Sequence, residues 1–487
     1  MTVRQDLAVV VVALPLLAAV AVALVPNGWS SKLTLACAFP TSAVGFALAV
    51  LAIKDGAHPA VGTWIVVDAA SGLLLAVIAA TGLASAIMSP SFLRGAHSSF
   101  IPDGHRERFF NVALLVFWGL LMAIPVAGNL GEAWLLIEAT TAASALLVGF
   151  SGRAHALEAG WKYLILTSLG LGVALLGIAI LVAGIPTGGV EGLAWRRLAT
   201  FGSGPSTAMS AYLLLLVGLA AKIGWAPVHN WLPDAHSEAP PPVSALLSAA
   251  LLPTVMMIAW RSERALAPVI GVRSAQRVLI GFGLLSLAVA VPFLWRPMPF
   301  KRLLAYSSLE HLGVMALGIG FGTRLALAGV SIHIVGHAVA KALGFYSASP
   351  LLVHEPRAAR HAVTGIGRTC PGLGATIGLS LGTLSGLPPS PLFVSEVLIL
   401  AGGFESGRSW VAALAAFLLA LGFLGLAHAT IETVVGKRHS RHVGLLPGWI
   451  LVRTLTAVSL VVLLGLAAVA PWLPSSGLVS ALQRGLP

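Results

Sequence analysis

Fourteen apolar runs, each close to the length of a bilayer crossing, dominate this chain: 7–25, 33–53, 63–88, 109–128, 131–150, 161–184, 208–233, 243–260, 276–295, 300–321, 325–352, 371–402, 409–435 and 452–473. A helix of about 20 apolar residues crosses the hydrocarbon, and in lipid its backbone groups must bond within the helix itself. The pattern predicts an all-α polytopic membrane protein of about 14 transmembrane helices. Only 9% of the 487 residues are charged, against roughly 25% in soluble domains, so an ordinary soluble protein is excluded. The first run, Leu7 to Val25, is long for a signal segment and lacks a small-residue cleavage site, which predicts a retained span.

The formal charge of +12 comes from 22 arginines and 7 lysines scattered singly through short connections. Loop charges orient spans, and nothing gathers them into a face for nucleic acid. With both termini on the outer side, sixteen basic loop residues fall inside, among them Arg153, Lys162, Lys301, Arg302, Arg438 and Arg441. Eleven fall on the other face, among them Arg261, Arg264, Arg273, Arg277 and Arg324. Cys37 and Cys370 stand far apart with no CxxC, so this chain holds neither a cysteine-bound iron–sulfur cluster nor a structural zinc site. No connection is long enough to part domains. Residues 1–487 read as one membrane domain: spans 1–3 over 1–108, spans 4–8 over 109–260, spans 9–13 over 276–435 and a last span over 452–473.

Ionisable residues inside spans are costly and are functional candidates by default. Asp68 stands near the start of the third run and Glu138 in the middle of the fifth. Lys222 ends the apolar stretch from Ala211 to Ala221 and is followed by Ile223-Gly224-Trp225-Ala226-Pro227, where proline breaks the seventh helix. A carboxylate from another span, Glu138 being the candidate, would stabilise a charged lysine there. The plainer alternatives are a hydrogen-bonded structural carboxyl and a lysine snorkelling from a helix end. A second break, Leu384-Ser385-Gly386-Leu387-Pro388-Pro389-Ser390-Pro391, interrupts the twelfth run, with Glu396 one to two turns beyond. Two interrupted spans, five apart and each beside a charge, predict paired five-helix repeats over spans 4–8 and 9–13.

The eleventh run carries His333, His337 and Lys341 at successive i, i+4 spacings, hence on one helical face. Metal or haem binding by the histidine pair is one reading; a proton relay, which imidazole supports near neutral pH, is the other. The tenth run adds Glu310 and His311 after Lys301 and Arg302, which are placed at the interface. Asp234-Ala235-His236-Ser237-Glu238, flanked by prolines, reads as a helix junction at the membrane surface rather than a metal site.

The segment from Lys222 to Ser248, together with Lys301 to Ser308, the His333/His337/Lys341 triplet and Gly386 to Glu396, resembles the antiporter-like subunits shared by respiratory complex I, Mrp cation/proton antiporters and membrane-bound group 4 hydrogenases. Ile137 to Thr141, Asp234 to Glu238 and Ser308 to His311 look most like the component F type of hydrogenase-4. The resemblance spans roughly residues 60 to 435. It implies 14 helices with two inverted five-helix repeats, broken helices 7 and 12, and a central line of titratable residues. Glu138 and Lys222 match a carboxylate–lysine pair, His333, His337 and Lys341 a central relay in which His311 joins, and Glu396 the charge on the second broken helix. Relatives commonly place a lysine or histidine at the position of Ser248, whose hydroxyl can hold a water but cannot store a proton.

The function implied is a proton-translocating membrane subunit of a redox complex in a prokaryotic inner membrane. Its partners would be other antiporter-like and small membrane subunits, with peripheral redox subunits holding iron–sulfur clusters and a nickel–iron centre. This chain would carry no cofactor and no active site of its own, since it has no phosphate loop, nucleophile elbow or cysteine cluster. Two alternatives stand beside it: a subunit of a Mrp-type sodium/proton antiporter, and a structural or coupling subunit with reduced pumping, suggested by Ser248.

Overall fold

Long runs of Leu, Val, Ala and Gly form helices because a helix alone closes its own backbone hydrogen bonds in lipid. The computed structural model describes residues 3–54, 60–61, 63–94, 101, 105–186, 189–437 and 449–484; Arg438 and Arg441 lie outside the described residues. The helices are α1 Val3–Leu24, α2 Ser30–Lys54, α3 Ala69–Leu93, α4 Arg106–Ala123, α5 Leu130–Val148 and α6 Ala154–Gly184. Next come α7a Pro205–Ile223 with α7b Leu232–Glu238, α8 Pro241–Ile270, α9 Val272–Leu294, α10 Phe300–Phe321 and α11 Arg324–His354. The series ends with α12a Pro371–Leu384 and α12b Pro391–Glu405, α13 Ser409–Val435, α14 Trp449–Val469 and a short α15 Gly477–Arg484. Among the described residues, thirteen helices are each long and apolar enough to cross a membrane; the halves of α12 make the fourteenth crossing together.

The repeats are α4–α8 and α9–α13, each with its fourth helix broken. Five crossings reverse direction, so the second repeat is inverted relative to the first. Both breaks use glycine in the left-handed region, Gly224 at φ 82° and Gly386 at φ 72°, where a Cβ is disfavoured. Side chains cap the helix starts: Asp68 for α3, Asn129 for α5, Thr323 for α11 and Ser390 for α12b, each accepting a backbone N–H that would otherwise be orphaned.

The hydrophobic windows of α8 and α10 are 100% buried and that of α11 83%, against 33% for α6 and 11% for the segment containing α14. The centre of the molecule is thus α8, α10 and α11, with the others as a lipid-facing or partner-facing shell. Small residues let backbones approach: a Cβ at Gly218 of α7a would lie 2.4 Å from the Gly170 carbonyl of α6.

Three helices take in charged residues that the apolar runs left to the connections. Helix α6 starts at Ala154, bringing Lys162 onto the helix rather than into a loop. Helix α8 continues to Ile270 through a π-turn at Leu247–Leu251, so Arg261 and Arg264 are helical, and Arg261 is buried. Helix α9 likewise takes in Arg273 and Arg277. The charges end the apolar run but not the helix: Lys162, Arg261 and Arg264 each find a partner in the protein, while Arg273 and Arg277 are exposed on the first turns of α9. Beyond α14 the chain folds back: Arg324 donates to the Pro474 carbonyl and to Ser480 Oγ at 2.9 Å, and Arg264 donates to the Gln483 carbonyl at 2.5 Å.

Candidate functional site: a buried polar axis

The first cluster forms at the end of α7a. Lys222 is fully buried and its Nζ donates to Thr141 Oγ1 at 2.7 Å and Tyr163 Oη at 2.5 Å. Ser144 Oγ donates to the Thr140 carbonyl at 2.5 Å, which leaves it to accept from Tyr163 Oη at 2.7 Å. The order of donation is therefore Lys222, Tyr163, Ser144. Groups freed by the break are satisfied by the protein, as membrane depth demands: Trp231 Nε1 donates to the Ala221 carbonyl at 2.7 Å, and the Ala226 amide to Ser286 Oγ at 3.1 Å.

Glu138 does not pair with Lys222 in this conformation. Its Oε1 accepts from Ser168 Oγ at 2.5 Å, its Oε2 is buried without a partner, and no Glu138–Lys222 ion pair is present among the described residues. The expected carboxylate–lysine pair is open, and hydroxyls take the ammonium instead.

The second cluster gathers α10, α11 and α12b. Lys341, also fully buried, donates to the Leu304 carbonyl at 2.5 Å and to Ser307 Oγ. Glu310, buried on α10, is close enough to act electrostatically on Lys341 and Glu396. Ser395 Oγ donates to the Leu392 carbonyl at 2.7 Å, so it accepts from His333 Nδ1 at 2.8 Å. Neutral His333 then offers the lone pair of Nε2 to His311 Nδ1, 3.1 Å away. Both ring nitrogens of His337 are buried without partners, with its ring 5.4 Å from that of His311.

Ser248 belongs to the second cluster. It sits in the π-turn of α8 and shares a hydrogen bond of 2.9 Å with Ser308, whose hydroxyl donates at 3.0 Å to the same Leu304 carbonyl that Lys341 uses.

The Asp234–Glu238 segment is divided. Asp234 meets Arg302 at 3.1 Å and Lys162 at 3.4 Å, and Glu238 meets Arg153 at 3.6 Å, all at one face of the bundle. His236, in contrast to its expected surface position, is fully buried, stacked on Phe345 at 5.3 Å with neither ring nitrogen bonded. Lys301 is covered by protein at the same face: its Nζ is tucked under the α7b–α8 junction, donating to the Ser237 and Ala239 carbonyls at 2.8 and 2.5 Å. A cleft of about 820 Å³, lined by Arg153, Glu238, Lys301 and Arg360 among others, opens there. Asp68 lies apart from both clusters. It caps α3 and forms an ion pair of 2.9 Å with Arg261, which also donates to the Pro125 carbonyl and Ser71 Oγ.

Sequence reasoning missed Tyr163, Thr141, Ser307, Ser308 and Arg261. The available signal was polar residues recurring within apolar runs, as in Thr140-Thr141 and Ser307-Ser308.

Residues 127–423, more than half of the chain, match the NADH:quinone oxidoreductase/Mrp antiporter transmembrane family. The chain belongs to that family. It is an antiporter-like membrane subunit of the kind found in complex I, hydrogenase and Mrp-type complexes. A hydrogenase-4 component F homologue from Methylacidiphilum infernorum is 30% identical over 374 residues, covering 74% of this chain and 78% of that one. NADH-quinone oxidoreductase subunit N from Desulforudis audaxviator is 28% identical, covering 73% and 70%. Among solved structures, an archaeal membrane-bound sulfane sulfur reductase superposes with a TM-score of 0.84 at 19% identity over 98% and 97% of the two chains. Complex I from Thermus thermophilus gives 0.80 at 23% over 98% of each. At these identities the structural likeness establishes the antiporter-like fold alone.

Proposed function

We propose that this antiporter-like subunit translocates protons within a complex I-like or membrane-bound hydrogenase-type redox complex, driven by electron transfer in partner subunits. The carrying observation is the set of buried titratable and hydroxyl groups along the bundle centre, Lys222 with Thr141 and Tyr163 in one cluster and Ser248, Ser308, Lys341, His311, His333 and Glu396 in the other. In the proposed cycle, Lys222 alternates between the hydroxyl-bonded position and a position paired with Glu138. Pairing stabilises the ammonium, and its loss removes that stabilisation, which links conformation to protonation. The unpartnered Oε2 of Glu138 is an acceptor ready for that return.

The chain itself contributes the path. Iron–sulfur clusters and a nickel–iron centre belong, in this reading, to peripheral partners beside other antiporter-like and small membrane subunits. The basic residues at and near the ends of the spans, sixteen on one side against eleven on the other, favour both termini on the outer side of a prokaryotic inner membrane.

The test is gentle purification of the tagged subunit, mass spectrometry of what accompanies it, and proton translocation by the assembled complex in vesicles. Lys222→Ala is expected to abolish translocation while preserving assembly; unchanged translocation overturns the proposal. Recovery of small membrane subunits only, with sodium-dependent transport, would instead identify a sodium/proton antiporter. Normal transport in Glu138→Gln would identify a structural or coupling subunit.

A further inference from the structure

The meeting point of α10, α11 and α12b has a second chemical capacity. One ligand atom from each of His311, His333 and Glu396 lies within 4.8 Å of the others. Two imidazole nitrogens and a carboxylate oxygen form a donor set for zinc-class ions, whereas sodium and calcium prefer oxygen cages. We propose that this cluster binds one divalent transition-metal ion, of which zinc is the representative.

The geometry supports it in three ways. First, bonds of about 2.0 Å in a tetrahedron place neighbouring ligand atoms about 3.3 Å apart, and His311 Nδ1 and His333 Nε2 are separated by 3.1 Å. Second, the outer partner that orients a metal-binding imidazole is already in place. His333 Nδ1–H donates to Ser395 at 2.8 Å, fixing the tautomer with its Nε2 lone pair toward His311, and His311 would bind as the tautomer that carries its proton on the unpartnered Nε2, freeing Nδ1 for the metal. Third, His337 is fully buried with both nitrogens unpartnered and its ring 5.4 Å from that of His311, leaving a fourth donor beside the cluster. Glu396 is half-buried on α12b while both imidazoles are buried, so an ion reaches the cluster from the carboxylate side.

Seated there, the ion would occupy the lone pairs through which a proton passes, a consequence that rests on the proposed relay; binding itself does not. The experiment is therefore a binding one. Protein without a histidine tag is titrated with zinc against a chromogenic chelator, and its zinc-edge absorption fine structure is recorded. The expected result is one tight equivalent per chain with two imidazole nitrogens and oxygen in the first shell. His333→Gln and Glu396→Gln should lose it, Ser395→Ala should weaken it about tenfold, and His155→Gln, on the exposed start of α6, should leave it unchanged. Absence of a tight site, or a tight site that survives in monodisperse His333→Gln and Glu396→Gln protein, overturns the proposal. Because zinc is read directly, loss of proton translocation leaves this result standing, and failure to bind zinc leaves translocation standing.

Discussion

Ser248 of α8 and Ser308 of α10 share a hydrogen bond of 2.9 Å across the boundary between the two repeats. This hydroxyl pair ends on the carbonyl serving Lys341. Ser308 donates to that carbonyl, so Ser248 donates to Ser308. Replacing Ser248 by alanine removes the donor without a volume clash. Vesicles carrying Ser248→Ala complexes should translocate protons several-fold more slowly at unchanged redox turnover, and an equal rate would remove Ser248 from the path.

Tyr163 is the first acceptor for the buried Lys222. Tyr163→Phe keeps the ring and its stacking on Trp231, whose centroid is 4.7 Å away, but leaves the ammonium with Thr141 as its hydroxyl partner. Proton translocation should fall while thermal stability changes little, because ring packing against Trp231 is preserved. A variant transporting at the parental rate would make Tyr163 a packing residue only.

The Asp68–Arg261 pair is buried, with the guanidinium 3% and the carboxylate side chain 13% exposed. Removing one partner of such a pair strands the other and costs about 3 kcal/mol or more, whereas removing both costs less. Asp68→Asn should lower the apparent melting temperature in detergent more than Asp68→Asn combined with Arg261→Met. If the double variant melts lower than the single one, the pair is not what holds this end of the bundle.

Outside the spans, the Arg357 guanidinium hydrogen-bonds Glu355 and holds its carboxyl below the usual range. A folded-state value below the unfolded one contributes stability above about pH 4.3 that disappears as pH falls through the folded value. Arg357 is 61% exposed, so solvent screens the contribution and it stays small. Melting temperatures of the parent and Glu355→Gln should differ slightly and constantly between about pH 6 and 8 and converge below about pH 4. A difference that grows on acidification would reverse the sign.

Both broken helices were legible because glycine and proline leave a local mark that no packing can hide: Gly224 with Pro227, and Gly386 with Pro388 and Pro389. Lys222, Lys341 and the histidines were legible because a titratable group in an apolar run has few other reasons to be there. Arg261 was not. A charge at the end of an apolar run looks like a loop, and its partner Asp68 stands 193 positions earlier. His236 was misplaced because prolines on either side suggest a surface junction, while the seven-residue α7b turns that ring inward and its acidic neighbours outward. The separation of Glu138 from Lys222 has no sequence signature at all, since it depends on hydroxyl partners, Ser168 for one and Thr141 and Tyr163 for the other, that come from elsewhere in the bundle.

The fold-back beyond α14 has a consequence for biogenesis. Arg264 belongs to α8 and Arg324 to α11, one in each repeat, and both are held by carbonyls or hydroxyls from residues 474–483. Those acceptors follow α14 in the chain and are synthesised after it. The two arginines lack these partners while up to six further helices are made, so the clasp between α8 and α11 closes only once residues 474–483 have been translated.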